Sequence, residues 1–140
     1  MNVIEIIVEG PVVPKARARI TRNGAFTPDR SAEYEARVAW CAKAAMRGRP
    51  HLSGPLTARI HVELPVPRTW PKWKRDQALS RQLLPISTAD LDNYVKATLD
   101  ALNGVVYRDD AAVVSLHATK EYGPDPLTVV LLTELGRTTS

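Results

Sequence analysis

A chain of 140 residues with 44% hydrophobic and 24% charged side chains suits one domain that buries roughly two thirds of its unfolded surface. Its formal net charge of +4 is mild evidence for a polyanionic partner. The single Cys41 excludes an internal disulfide, and His51, His61 and His117 share no ligand spacing for a structural zinc centre. No apolar run approaches the ~18 residues of a membrane span, and Met1–Glu5 lacks a charged n-region, so a cytoplasmic protein without membrane contact is the expectation.

Val3 to Glu9 places Ile4, Ile6 and Val8 on one face and Glu5 and Glu9 on the other, a strand ended by Gly10-Pro11. Next, Lys15, Arg17 and Arg19 alternate with small residues, so an extended backbone sends three cations one way, towards phosphates or simply towards water. Arg22-Asn23-Gly24 is a turn signal for a hairpin closing at Phe26. Ser31 can cap a helix from about Ala32 to Met46, with Tyr34, Val38, Cys41 and Ala45 as its apolar stripe. Cys41 therefore reads as core rather than as a reactive thiol.

Leu56 to Leu64 is the cleanest strand, with Leu56, Ala58, Ile60, Val62 and Leu64 inward and Thr57, Arg59, His61 and Glu63 outward. Pro65 to Pro71 is an extended loop, followed by a short helix from Lys72 towards Arg81. Lys72, Lys74 and Arg75 interleave with Trp70 and Trp73, a mixture suited to a phosphate backbone and an exposed base. Tryptophans packed on the body with solvated cations explain the same pattern. Val113 to Tyr122 and Leu127 to Leu135 read as a terminal hairpin around Gly123-Pro124-Asp125-Pro126, and residues 137–140 as a frayed tail.

The densest chemistry lies between. Leu91, Val95, Leu99 and Leu102 mark the buried stripe of a helix from about Asp90 to Asn103. Asp90 or Thr88 suits its N-cap, and Asp92 with Lys96 suits an ordinary i to i+4 ion pair. Against these bland readings, Asn103-Gly104 stops the helix and lets Val105-Val106-Tyr107 turn back, which brings Asp109-Asp110 towards Asp90 and Asp92. Carboxylates sharing one small volume need a hard cation with oxygen ligands, which magnesium or manganese fits better than zinc. A neighbouring lysine suits charge developing on a phosphoryl group. Sugar-phosphate phosphatases and other magnesium enzymes use acid pairs of the same spacing.

The run Asp90-Leu91-Asp92-Asn93-Tyr94-Val95-Lys96, through Asp100-Ala101-Leu102-Asn103-Gly104 to Tyr107-Arg108-Asp109-Asp110, resembles the signature of the RusA family of Holliday junction resolvases. Upstream, Pro14 to Arg19 with Thr27-Pro28 and Glu33-Tyr34 is similar to that family's basic amino-terminal segment, so the likeness spans about Val3 to Glu134. It implies a homodimeric, magnesium-dependent endodeoxyribonuclease, with manganese as a substitute, that nicks two opposed strands of a four-way DNA junction. By position, Asp90, Asp92 and Asp110 match the family's metal-binding aspartates and Lys96 its catalytic lysine, with Asp109 the second choice beside Asp110. Thr88-Ala89 departs from a common lysine-proline pair, Ala112 from a glutamine and Ala18 from a proline, which touches DNA contacts more than chemistry. The expectation is a single α+β domain over residues 1–136, a mostly antiparallel sheet of about four strands packed with two main helices. A binding module without catalysis and a phosphohydrolase of small esters are the alternatives.

Overall fold

The computed structural model describes residues 2–15, 19–21, 24–26 and 29–136, with only the backbone of 19–21, 24–26 and Asp29. Arg17 and the 137–140 tail lie outside the described residues. The elements run β1 (Val3–Glu9), β2 (Arg19–Thr21), β3 (Gly24–Phe26), α1 (Asp29–Met46), β4 (Leu56–Pro65), α2 (Lys72–Leu79), α3 (Leu91–Leu102), β5 (Val113–Gly123) and β6 (Leu127–Glu134). β2 pairs with β3 as a small antiparallel ribbon, in line with the hairpin expected there.

The other four strands form one mixed sheet in the order β1-β6-β4-β5. Alternation drives it: Ile4, Ile6 and Val8 of β1, Leu56 to Leu64 at every second position of β4, and Val130 and Leu132 of β6 are all buried on one face. α1 packs against β1 and α3. Its deepest line is Tyr34, Val38, Ala42 and Met46, with Cys41 and Ala45 half-buried at its flank. The result is one α+β domain with a third helix, the short α2, beside the two main ones. Among the described residues no helix is long and apolar enough to cross a membrane.

The terminal hairpin is a correction. β5 and β6 do not pair; β4 lies between them, parallel to β5 and antiparallel to β6. Pro124 and Pro126 bias Gly123 and Asp125 to extended backbone, which suits a connection crossing the end of β4 better than a tight turn. The crossover from β4 to its parallel neighbour β5 carries α2 and α3, and so sets the site against the β5 side of the sheet.

A buried hydroxyl chain joins the layers. Thr98 donates to the Tyr94 carbonyl at 2.9 Å, so its oxygen accepts from the Tyr34 hydroxyl at 2.9 Å. That phenol's oxygen in turn accepts from Thr128 of β6 at 3.1 Å. Burial pushes the Tyr34 phenol up, against the opposing pull of its two threonine partners. α1, α3 and β6 are thereby held in one register beneath the site.

Candidate active site

α3 presents its first turn to solvent because only Tyr94, Val95, Ala97, Thr98, Leu99 and Leu102 face the core. Asp90 occupies the N-cap position with extended backbone, yet its side chain caps nothing. Thr88 does not cap the helix either: its hydroxyl donates to the Pro85 carbonyl at 3.3 Å. Asp90 and Asp92 are both exposed at the positive end of the helix dipole, and among the described residues neither carboxylate has a hydrogen-bond or ion-pair partner.

Lys96 is exposed one turn further along, but it reaches Asp100 at 3.7 Å rather than Asp92. Asp100 also takes Lys15 at 3.2 Å, and Lys15 bonds both oxygens of Glu35 at 3.0 and 3.2 Å. Burial lowers the Lys15 pKa, but its bonds to Glu35 and Asp100, and their charges, more than offset this and leave it raised. Lys15 thus bridges α1 and α3 through the Glu35 and Asp100 carboxylates. Asp100 is structural, as its place two turns below Asp92 suggests, and it also anchors Lys96.

Beyond α3, Gly104 takes a positive φ of 76° and its N–H donates to the Tyr107 carbonyl at 2.8 Å. The Tyr107 side chain turns back and donates to the Leu99 carbonyl at 2.7 Å. Burial raises its phenol pKa well above the ordinary tyrosine value, helped by the charges of Asp110, Asp100 and Asp109. Asp109 spends its carboxylate capping a single 3-10 turn, Asp110–Ala112, through the Ala111 N–H at 3.0 Å. The half-buried Asp110 donates its backbone N–H to the Asn103 side-chain oxygen at 2.9 Å, leaving its carboxylate out of that cap.

The Asp110 backbone is thereby tied to the end of α3 opposite Asp90 and Asp92. Asn103, which holds Asp110, is eleven positions beyond Asp92, roughly 16 Å along the helix axis. Among the described residues no group of three or more Asp, Glu, His or Cys side chains is placed to hold a metal ion. The cause is the tight turn at Gly104, with Tyr107 locked under the helix end, so that the chain enters β5 from the C-terminal end of α3.

Of the proposed DNA-binding cations, Lys72 and Arg75 are exposed on α2, and Lys74 sits 4.1 Å from the centre of the Trp70 ring. Trp70 also packs edge-on against Tyr122 at 5.5 Å, so it belongs to the body, while Trp73 is 63% exposed. The Arg19 side chain is not among those described.

Sequence reasoning missed Lys120. Its ammonium lies 3.1 Å from both the Thr88 hydroxyl and the Ala89 carbonyl, immediately before Asp90. A signal existed: Lys120 shares the inward face of β5 with Ala118 and Tyr122, since their β4 partners are the buried Val62, Ile60 and Leu64. A lysine in that alternation must find polar partners.

Residues 9–133 match the family described as Endodeoxyribonuclease RusA. The uncharacterized protein YqaN of Bacillus subtilis (strain 168) is 33% identical over 140 residues, spanning 96% of this chain and 99% of that protein. With that coverage, and with the aspartates and lysine of α3 in place, the chain belongs to the RusA endodeoxyribonuclease family.

Proposed function

We propose that the protein is a structure-selective endodeoxyribonuclease that resolves four-way DNA junctions by paired symmetric nicks, using magnesium or manganese. The observation that carries this reading is the pair of exposed carboxylates, Asp90 and Asp92, neither engaged in capping α3. Two hard oxygen donors on a solvent-facing helix end suit a magnesium-like cation and would hold it with the Asp110 of a second copy as third ligand. Such an ion, when bound, lowers the pKa of an attacking water and stabilises the leaving oxygen.

The remaining work falls to the chain's own groups. Lys96, anchored through Asp100, supplies positive charge to the phosphoryl oxygens as negative charge builds there. Lys120 fixes the Thr88–Ala89 segment and with it the position of Asp90. Lys72, Lys74 and Arg75 hold the flanking backbone. A homodimer serves two ends in this reading: a symmetric junction needs two cuts, and a second copy's Asp110 completes a carboxylate set that α3 keeps divided within one chain.

The direct experiment incubates the protein with a synthetic four-way junction or a matched linear duplex, with magnesium, and maps the nicks. Paired nicks at symmetric positions in the junction alone are the expected outcome. Binding without any cleavage across metal concentrations would leave only a junction-binding module, and cleavage of small phosphate esters alone would favour a phosphohydrolase.

A further inference from the structure

The segment joining α2 to α3 ends in an apolar tip that the described residues leave uncovered. Leu84 is 52% and Ile86 90% exposed, while Pro85 between them is buried. The tip is braced at every step. The Ile86 N–H donates to the Leu84 carbonyl at 2.9 Å, closing a three-residue turn over Pro85. Gln82 and Leu83 both donate to the Gln77 carbonyl, at 3.0 and 3.1 Å, which ties the near side to α2. On the far side Thr88 bonds the Pro85 carbonyl, and Lys120 bonds Thr88 and Ala89. An isoleucine held almost wholly in water forfeits its burial energy, and the bracing prevents it from folding back.

Its surroundings indicate what it meets. The tip stands four residues before Asp90, on the same braced segment as the unspent carboxylates. α2, to whose C-terminal half the near side of the tip is tied, carries exposed Lys72, Trp73 and Arg75, cations and an aromatic face suited to phosphates and a base. Apolar side chains that enter between base steps unstack them and bend the duplex, at least cost where stacking is already interrupted. We propose that Leu84 and Ile86 form a wedge that enters the base stack at the branch point of a DNA junction, with the α2 cations on the adjoining phosphates. The proposal rests on the nuclease reading above and names the contact by which that site selects branched over linear DNA.

The test uses the full chain in EDTA, so that nothing is cut, and a four-way junction carrying 2-aminopurine at the branch point. Binding should raise the probe's fluorescence in the junction and leave it unchanged in the linear duplex. Ile86→Ser, and Leu84→Ser with Ile86→Ser, should lose most of that rise. The pair should also weaken junction binding roughly tenfold or more, the equivalent of one buried isoleucine side chain, while duplex binding stays constant. Ile86 is too exposed for its replacement to unfold the chain, and an unchanged Tm checks this. A full rise in both variants would overturn the wedge, as would junction binding and nicking by the unaltered protein with no rise at all. Dissociation of a dimer by Ile86→Ser in sedimentation would reassign the tip to self-association and equally overturn it. If the unaltered protein binds junction no better than duplex and nicks neither, the nuclease reading itself has failed.

Discussion

The two ends of α3 use the same residue types in opposite ways. At the first turn Asp90 and Asp92 face solvent and cap nothing. At the other end almost every polar group is engaged: Asp100 on two lysines, Asp109 on the Ala111 N–H, Asn103 on the Asp110 N–H, and the Leu99 carbonyl on Tyr107. Carboxylates that contribute little to folding are available for chemistry, whereas those that satisfy a helix end or a cation hold structure. Asp110 stands between the two groups, fixed by its backbone but with its carboxylate left out of the neighbouring cap. The difference makes separable predictions for activity and stability.

The largest effect should come from the first turn. Asp92→Asn should reduce junction nicking by about two orders of magnitude or more, with stability within about 0.5 kcal/mol of the unaltered protein. Junction affinity should hold or rise, because a carboxylate facing phosphate has gone. Full nicking by this variant would exclude Asp92 as an essential ligand, and a large drop in Tm would move it to the structural group.

Next in size is a mixing experiment that asks whether Asp110 serves its own chain or a second copy. Asp92→Asn and Asp110→Asn should each be inactive alone. Mixed and allowed to exchange, they should recover roughly a quarter of the nicks, since random pairing makes half the dimers mixed and each carries one intact site. The recovered nicks should be single rather than paired. No recovery, with exchange verified, would place all three aspartates in one chain.

At the other end of the helix, Tyr107→Phe should cost about 1–3 kcal/mol by leaving the buried Leu99 carbonyl without its donor, and barely alter the chemistry of the first turn. Its pH dependence has a definite sign. The Tyr107 pKa is raised by burial above its ordinary value of 10.0, so the folded state holds the proton more tightly than the unfolded chain. The Tyr107 contribution to stability is therefore fully present below about pH 10 and declines as pH rises from there. Tyr34 and Tyr122 are raised as well and steepen the decline, so denaturation midpoints against pH should show a shallower alkaline slope in Tyr107→Phe. An identical slope would remove Tyr107 as a contributor.

Local patterns made most of the elements legible. The strict alternation of β4 and the spacing of Leu91, Val95, Leu99 and Leu102 placed a strand and a helix where they stand. Sheet order was less visible, because two strands separated by a short loop look the same in sequence whether they pair or flank a third. At the site, spacing put Asp90 and Asp92 on one turn but carried no information on the path after Gly104, which depends on Tyr107 reaching a carbonyl eight residues back. The ion pairs of Lys15 were illegible for a related reason: a cation in a basic run gives no hint that Glu35 and Asp100 will close on it from two helices.

That last point yields the smallest expected effect, and it separates bound cations from free ones. Replacing Lys72, Lys74 and Arg75 with alanine should weaken junction binding and flatten its logarithmic salt dependence by about 2.7, or roughly 0.9 for each phosphate contact released. Lys15→Ala should leave that slope unchanged, because its ammonium is already neutralised by Glu35 and Asp100. What Lys15→Ala should alter is stability, since two carboxylates on adjacent helices then face each other without a cation, and the loss should shrink as added salt screens them. Binding titrations from 50 to about 200 mM salt, paired with denaturation at each concentration, read both quantities on the same variants. A flattened slope in Lys15→Ala would return that lysine to the DNA surface and show that its ion pairs open when phosphate arrives.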